Sequence, residues 1–142
     1  MLDRHSVEQE ETARQEVAVT LGESLKGRRL LVVEDDFLIG YDFAESLKAL
    51  GADVLGPVGN IDDALDLIAE TPDIDGAVLD LNLGGEMSYP IADALAERSI
   101  PFVFTTGYDK ANIAVRFAAV MRCEKPVQIS QVVQALTRQF QL

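Results

Sequence analysis

The chain is poor in the residues that disulfide-bonded, nucleic-acid-binding or membrane proteins need. Its 142 residues include a single cysteine, Cys123, so no disulfide can form within the chain and we expect a reducing compartment. The chain has 12 lysines and arginines but 24 aspartates and glutamates. This balance argues against direct nucleic-acid binding, because phosphate contacts need clustered basic side chains. No apolar run approaches membrane-spanning length, and the N-terminus lacks the features of a signal peptide. We therefore expect a cytoplasmic protein.

The size and composition of the chain fit one globular domain with an N-terminal extension. The sequence is 48% hydrophobic and 25% charged, as is normal for a globular protein. Residues 1–27 are polar and rich in glutamate, so we predict an extension there that is partly helical or flexible, followed by a compact domain over residues 28–142. The extension carries a thin apolar stripe at helical spacing: Val7, Val17, Leu21 and Leu25. A second interpretation therefore stays open, in which a helix packs on a partner subunit or covers the domain.

Apolar segments that are typical of buried strands alternate with helical patterns along the rest of the chain. The predicted strands are Leu30–Val33, Asp53–Pro57, Ala77–Leu79, Phe102–Thr105 and Ala119–Cys123. The predicted helices are residues 37–50, 61–70, 89–98, a short one within 109–117, and 128–139. This order predicts an α/β fold in which five βα units form a doubly wound, parallel, five-stranded sheet.

The first predicted helix follows Asp36 and ends at Gly51. We expect Asp36 to cap the helix rather than to bind a metal, and Gly51 to close it. Apolar residues recur at helical spacing and are predicted to face the core: Phe37, Leu38, Tyr41, Ala44, Leu47 and Leu50.

Several predicted strands end in side chains that can do chemistry. Glu34 and Asp35 follow the first strand, Asp80 ends the third, Thr106 follows the fourth, and Lys125 follows the fifth. Because the carboxyl ends of parallel strands meet at one edge of a sheet, we expect carboxylates, a hydroxyl and an amine to converge there.

The three carboxylates of this set predict a cation site. Two like charges about 4 Å apart repel by about 4 kcal/mol at an intermediate effective dielectric, so Glu34, Asp35 and Asp80 favour a bound cation or protonation. Oxygen ligands favour Mg²⁺, Mn²⁺ or Ca²⁺ over zinc, and the backbone carbonyl of Asn82 is a further candidate ligand. With Asp80 as nucleophile, Lys125 and a threonine hydroxyl would suit phosphoryl transfer.

Four short motifs resemble those of the receiver domains of two-component response regulators. They are Val32-Val33-Glu34-Asp35-Asp36, Asp80-Leu81-Asn82-Leu83, Thr105-Thr106-Gly107-Tyr108 and Glu124-Lys125-Pro126. The resemblance implies a (βα)5 fold of flavodoxin-like receiver topology and a phosphoacceptor at Asp80. It also implies Mg²⁺ (or Mn²⁺) held by an acidic pair, the phosphoacceptor and a backbone carbonyl: Glu34, Asp35, Asp80 and Asn82. Asp35 would be the direct ligand of the acidic pair.

The resemblance also implies roles for two further residues and for partner proteins. Thr106 would be the switch hydroxyl and Lys125 the phosphate-contacting lysine, with a cis bond to Pro126. The phosphodonor would be a histidine on a sensor histidine kinase or a histidine phosphotransfer protein, and the output a downstream protein partner. The resemblance leaves homodimer formation open. We expect a stand-alone receiver in a phosphorelay that is not an enzyme beyond slow self-dephosphorylation, and that binds neither nucleic acid nor membrane.

Two positions depart from the usual receiver pattern. Arg122 occupies the place of an aromatic switch residue, three positions before Lys125. Phe104-Thr105-Thr106-Gly107-Tyr108 resembles the FAT GUY subgroup of receivers, with Thr105 in place of alanine. We hypothesise that Tyr108 takes over the switching role or shields the acyl phosphate from water. The departure at Arg122 keeps an alternative open, in which the chain is a pseudo-receiver that binds partners without being phosphorylated.

Other phosphate-handling families fit the sequence less well. Phosphatases of the haloacid dehalogenase type need a second aspartate two residues after the nucleophile, where this chain has Asn82, which removes the general acid/base. A flavodoxin-like cofactor binder would need a hydroxyl- and glycine-rich loop after the first strand, where the acidic Glu34 and Asp35 would repel phosphate.

Overall fold

The computed structural model describes residues 25–107 and 113–140. The strands in these ranges are β1 (Arg29–Val33), β2 (Asp53–Val58), β3 (Gly76–Asp80), β4 (Asn82–Leu83), β5 (Glu86–Met87), β6 (Phe102–Thr106) and β7 (Arg122–Glu124). The α-helices are α1 (Phe37–Ala49), α2 (Ile61–Glu70), α3 (Tyr89–Glu97) and α4 (Ile129–Phe140). Five strands form one parallel sheet in the order β2-β1-β3-β6-β7, and β4 pairs with β5 in a separate antiparallel ribbon.

The parallel sheet confirms the predicted α/β fold. The inner strands β1, β3 and β6 are almost entirely buried, as their continuous apolar sequences predict for strands covered on both faces. The outer strand β2 contains Asp53 and Pro57, which suit an edge. One helix-rich layer packs on each face: the side chains of α1 and α4 on one, those of α2 and α3 on the other.

The connection between β6 and β7 differs from the prediction. In its described part, residues 113–121, the regular structure is a 3₁₀ turn at Val115–Phe117. The predicted fifth strand, Ala119–Cys123, is wrong at its start, because β7 spans Arg122–Glu124. The N–H of Ala118 donates to the carbonyl of Val115, and the N–H of Val120 to that of Phe117. These bonds form turns, so the apolar stretch before β7 is not extended although its sequence resembles a strand.

The core-facing side of α1 was predicted wrongly at its N-terminal end. Phe37 is 71% exposed, Leu38 73% and Tyr41 49%, whereas Gly40, Ala44 and Leu47 are buried. The reason is Gly40, because a Cβ atom at that position would lie 2.8 Å from the Cβ of Pro57. The glycine lets α1 approach β2 closely, and this contact turns the apolar residues around it outward.

The core on the α1 and α4 face of the sheet includes Leu25, which precedes the predicted domain start at residue 28. Leu25 is 0% exposed and belongs to the same buried cluster as Leu47 of α1 and Leu136 of α4. Residues 1–24 of the predicted extension lie outside the described residues. Among the helices of residues 25–107 and 113–140, none has the length and apolar character needed to cross a membrane.

Candidate phosphoryl and metal site

Three carboxylates meet at the carboxyl edge of the sheet. Glu34 and Asp35 follow β1, and Asp80 is the last residue of β3. These strands are direct parallel neighbours, with Val33 opposite Leu79, so their ends coincide. One ligand oxygen from each of the three carboxylates lies within 4.8 Å of the others. The structure therefore brings together the three acidic side chains that the sequence singled out.

Lys125 approaches these carboxylates from the loop after β7. Its Nζ donates to Asp80 Oδ2 at 2.7 Å and lies 3.1 Å from Glu34 Oε2. Its backbone N–H donates to the carbonyl of Thr106 at 2.8 Å, which fixes the loop to the end of β6. The Lys125–Pro126 peptide bond is cis, as the resemblance implied. Burial lowers the pKa of Lys125, but hydrogen bonds and attraction from Asp80 and Glu34 outweigh burial, so its pKa is raised overall.

The candidate site residues surround one cleft of about 360 Å³. Its lining includes Asp35, Asp80, Asn82, Thr106 and Lys125. Thr106 ends β6, lines the cleft and is 3% exposed, so its side chain is largely shielded from solvent. Glu34 is 7% exposed and does not line this cleft. Tyr108, the other switch candidate, lies outside the described residues.

Asn82 is held by a hairpin that the sequence analysis missed. Its backbone N–H donates to Asp80 Oδ1 at 3.1 Å, and its side-chain Oδ1 accepts from the N–H of Gly85 at 2.7 Å. Gly84 and Gly85 have φ values of +61° and +100°, which only glycine adopts readily. A glycine pair is a known signal for a two-residue hairpin and would have revealed this ribbon.

The electrostatics of Glu34 indicate that the cluster suits a cation. The pKa of Glu34 is raised from 4.5 to about 7, chiefly by burial and then by repulsion from Asp80. Hydrogen bonds from the Asp36 N–H and from Lys125 oppose this rise only in part. The ligand atoms of this cluster are all oxygens, and the single ammonium of Lys125 does not offset the charge of three carboxylates. Such a ligand set fits Mg²⁺ or Mn²⁺.

Asp36 and Arg122 stand apart from this site. Asp36 caps α1 by accepting from the Ile39 N–H at 3.1 Å, as predicted. Arg122 is exposed on β7, the edge strand farthest from β2. The thiol of Cys123 beside it is buried, which raises its pKa.

A patch of exposed apolar side chains adjoins the site. This α1 patch consists of Phe37, Leu38, Ile39 and Tyr41, with exposed fractions of 71%, 73%, 49% and 49%. The rings of Phe37 and Tyr41 stack at 6.2 Å between centroids. The patch begins directly after the acidic residues 34–36, so a protein docked on it would reach the cleft.

Known proteins resemble the chain in both sequence and structure. No family model matches it. The solution structure of SdrG from Sphingomonas melonis Fr1 is 37% identical, with a TM-score of 0.67, and the match covers 78% of this chain and 96% of SdrG. A second SdrG structure, from Pseudomonas melonis Fr1, is described as the BeF3-activated conformation and matches at 37% identity and a TM-score of 0.65, over 80% of this chain and 96% of that one.

Two further relatives are more distant. A response regulator receiver protein from Sinorhizobium medicae WSM419 has the same fold at 21% identity and a TM-score of 0.69, over 82% of this chain and 97% of that one. The transcriptional regulatory protein PdtaR of Mycobacterium tuberculosis (strain H37Rv) is 29% identical over 113 residues, which are 77% of this chain and 55% of PdtaR. The chain thus spans about half the length of this curated relative. Taken with the fold and the acidic cleft, these matches show that the chain belongs to the receiver domains of response regulators, which are signalling proteins rather than classical enzymes.

Proposed function

We propose that the protein is a phosphoacceptor of a two-component phosphorelay, in which Asp80 receives a phosphoryl group from a histidine. One observation carries the proposal: the Asp80 carboxylate accepts a hydrogen bond from the Lys125 ammonium at 2.7 Å, close to the carboxylates of Glu34 and Asp35 and in the lining of an open cleft. A nucleophile, a cation-binding cluster and a fixed positive charge are the components that phosphoryl transfer requires.

The proposed reaction moves the phosphoryl group between two proteins. An Asp80 carboxylate oxygen attacks the phosphorus, the bond between phosphorus and the donor's imidazole nitrogen breaks, and an acyl phosphate forms on Asp80. The Lys125 ammonium is free to exchange its bond with Asp80 Oδ2 for one with a phosphoryl oxygen. The Thr106 hydroxyl, at the end of β6, would donate to another. These two donors would stabilise the charge that builds up on the transferring group.

The metal site of the proposal uses Glu34, Asp35, Asp80 and the backbone carbonyl of Asn82. Bound Mg²⁺ would supply positive charge that offsets the repulsion between the carboxylates and the incoming phosphoryl oxygens. The hairpin supports the role of Asn82, because the bonds to Asp80 Oδ1 and from Gly85 hold the residue at the rim of the cleft. Asp35 is exposed and can therefore reach a hydrated ion.

The proposed partners are a sensor histidine kinase or a histidine phosphotransfer protein as donor, and a downstream protein as target. The α1 patch supports a protein donor, because its exposed apolar side chains nearest the cleft, Phe37 and Leu38, would be covered by a docked partner. The BeF3-activated conformation described for SdrG supports the same chemistry here, since beryllofluoride resembles a phosphoryl group in shape and charge. Thr106 and Tyr108 remain the predicted switch residues.

Phosphorylation of the purified full chain tests the proposal. The protein is incubated with Mg²⁺ and acetyl phosphate, or with a histidine kinase, and is resolved on a phosphate-affinity gel. We expect a shifted band that EDTA abolishes and that Asp80→Asn lacks. Asp66→Asn is the matched control, because Asp66 is an exposed carboxylate on α2, and this variant should be phosphorylated normally.

A second measurement separates a poor donor from an incompetent site. Fluorine NMR with beryllium, fluoride and Mg²⁺ should detect a protein-bound signal in the wild type and in Asp66→Asn, and none in Asp80→Asn. If no donor phosphorylates Asp80 and no bound signal forms, the pseudo-receiver becomes the better interpretation. The observation that favours that alternative is the exposed Arg122 at the usual aromatic position.

A further inference from the structure

A second cavity lies on the other side of the Glu34–Lys125 ion pair, between α1 and α4. It measures about 430 Å³. We call it the α1–α4 groove, and define it by Val32, Ile39, Gly40, Phe43, Val127 and Ile129. Ile39 is exposed, and Phe43, Val127 and Ile129 are half-buried. Glu34 and Lys125 also line this groove, but Asp80 does not. The groove's mostly apolar lining is typical of a surface that another apolar surface covers.

The chain enters the core beside this groove. Leu25 is helical and 0% exposed, and it packs in the same cluster as Leu47 of α1 and Val132 of α4. The Arg28 N–H donates to the Leu25 carbonyl at 2.9 Å, and Gly27 has a φ of +76°, which closes a tight turn into β1. A helix that ended in such a turn would run antiparallel to β1, and therefore in the same direction as α1.

The apolar residues before β1 match those of α1 in spacing. Three of them recur at intervals of four: Val17, Leu21 and Leu25. On α1, Ile39 and Phe43 precede Leu47 at the same intervals. Four residues of an α-helix rise about 6 Å. Placing Leu25 level with Leu47, which belongs to the same buried cluster, would bring Leu21 level with Phe43 and Val17 level with Ile39.

We propose that residues 17–24 pack as a helix in the α1–α4 groove of their own chain. Apolar side chains of this segment then cover Phe43 and Ile39. The 24 residues before Leu25 would span about 36 Å as a helix, against about 20 Å for α1, so the segment is long enough. Gly22 disfavours such a helix, which the burial of Leu21 offsets.

This packing leaves part of the α1 patch exposed. Val17 reaches the level of Ile39, so the segment covers that residue, whereas Phe37 and Leu38, at the end of α1 nearest the acidic cleft, remain accessible. The segment and a docked phosphodonor can therefore bind at the same time. The proposal does not depend on whether Asp80 is phosphorylated.

Methyl NMR on the full chain tests the packing with a matched pair of variants. Val17→Asp places a charge in the groove, whereas Val19→Asp makes the same change about 200° around the helix, where it faces away. We expect an NOE between Leu21 methyl and Phe43 ring protons in the wild type. We also expect the Ile39 δ1 methyl resonance to shift in Val17→Asp and to stay unchanged in Val19→Asp.

Three outcomes would overturn the proposal. The first is an Ile39 δ1 methyl resonance that does not shift in Val17→Asp. The second is a shift of that resonance by the same amount in Val17→Asp and Val19→Asp. The third is an NOE that appears only between differently labelled molecules in a mixed sample, because the groove would then hold the segment of a second copy. Circular dichroism of both variants confirms that the sheet and the helices are retained.

Discussion

Glu34 should make the metal-free protein less stable as the pH rises. Its carboxyl is 7% exposed, and burial followed by repulsion from Asp80 raises its pKa from 4.5 to about 7. The unfolded chain therefore gives up this proton near pH 4.5, and the folded chain only near pH 7. Between these values the folded state binds more protons than the unfolded state, so stability falls as the pH increases.

The size of the effect follows from the pKa difference. A rise from 4.5 to about 7 corresponds to about 3 kcal/mol of unfolding free energy. The cost is absent below pH 4.5, grows across the window, and is complete above about pH 7. Bound Mg²⁺ favours the charged carboxylate, so saturating Mg²⁺ should remove this dependence. Competition with the proton should make Mg²⁺ binding about tenfold weaker at pH 6 than at pH 8.

Urea unfolding from pH 5 to pH 8 in EDTA measures this effect. Other carboxyl groups titrate as well, so the quantity to compare is the difference in unfolding free energy between the wild type and Glu34→Gln. Between about pH 4.5 and pH 7, the unfolding free energy of Glu34→Gln should rise by about 3 kcal/mol relative to that of the wild type. Glu70→Gln, which changes an exposed carboxylate at the end of α2, should show no such change. A pH-independent difference for Glu34→Gln, or one of opposite sign, would refute the reasoning.

Three shorter predictions concern α1 and the site. Gly40→Ala should lower the unfolding free energy by about 1–3 kcal/mol in a urea titration, because its new Cβ would lie 2.8 Å from that of Pro57. Asp36→Ala should cost about 1 kcal/mol in the same assay through loss of the bond from Ile39 N–H, and unchanged stability would rule out the cap. Lys125→Met removes the positive charge that lies 2.7 Å from Asp80 Oδ2, so it should bind Mg²⁺ more tightly in calorimetry and accept phosphate more slowly. Weaker Mg²⁺ binding would contradict this prediction.

The fold was predictable where one signal decided the local structure. Leu30–Val33 and Ala77–Leu79 are continuous apolar runs, which suit only buried strands in a chain that alternates strands with helices. Both end in carboxylates, and adjacent parallel strands must bring their ends together. Proximity of Asp35 and Asp80 therefore followed from topology, before any side-chain geometry was known.

Prediction failed where tertiary packing chose between local alternatives. The spacing of Phe37, Leu38 and Tyr41 fits a core-facing helix, yet these residues are exposed, because Gly40 is the residue that meets Pro57. A glycine counts as neutral in a hydrophobic pattern, although its missing side chain allows a helix to approach a strand most closely. Similarly, the apolar residues before β7 read as a strand, but turns anchored by Phe117 occupy them. Phe117 packs against Tyr89, Phe102 and Phe104, which are contacts that no local pattern encodes.

The error on α1 has a consequence for function. A helix with its apolar residues inward would offer a partner only polar atoms, whereas the observed α1 presents Phe37 and Leu38 beside the acidic cleft. The glycine contact that misled the sequence pattern is therefore what leaves an apolar surface next to Asp80. A partner that covers this surface brings its reactive group to the cleft, which Lys125 lines, while its docking contacts stay on α1. Docking and chemistry can thus be changed separately: substitutions at Phe37 should affect partner affinity, and substitutions at Lys125 the phosphoryl transfer itself.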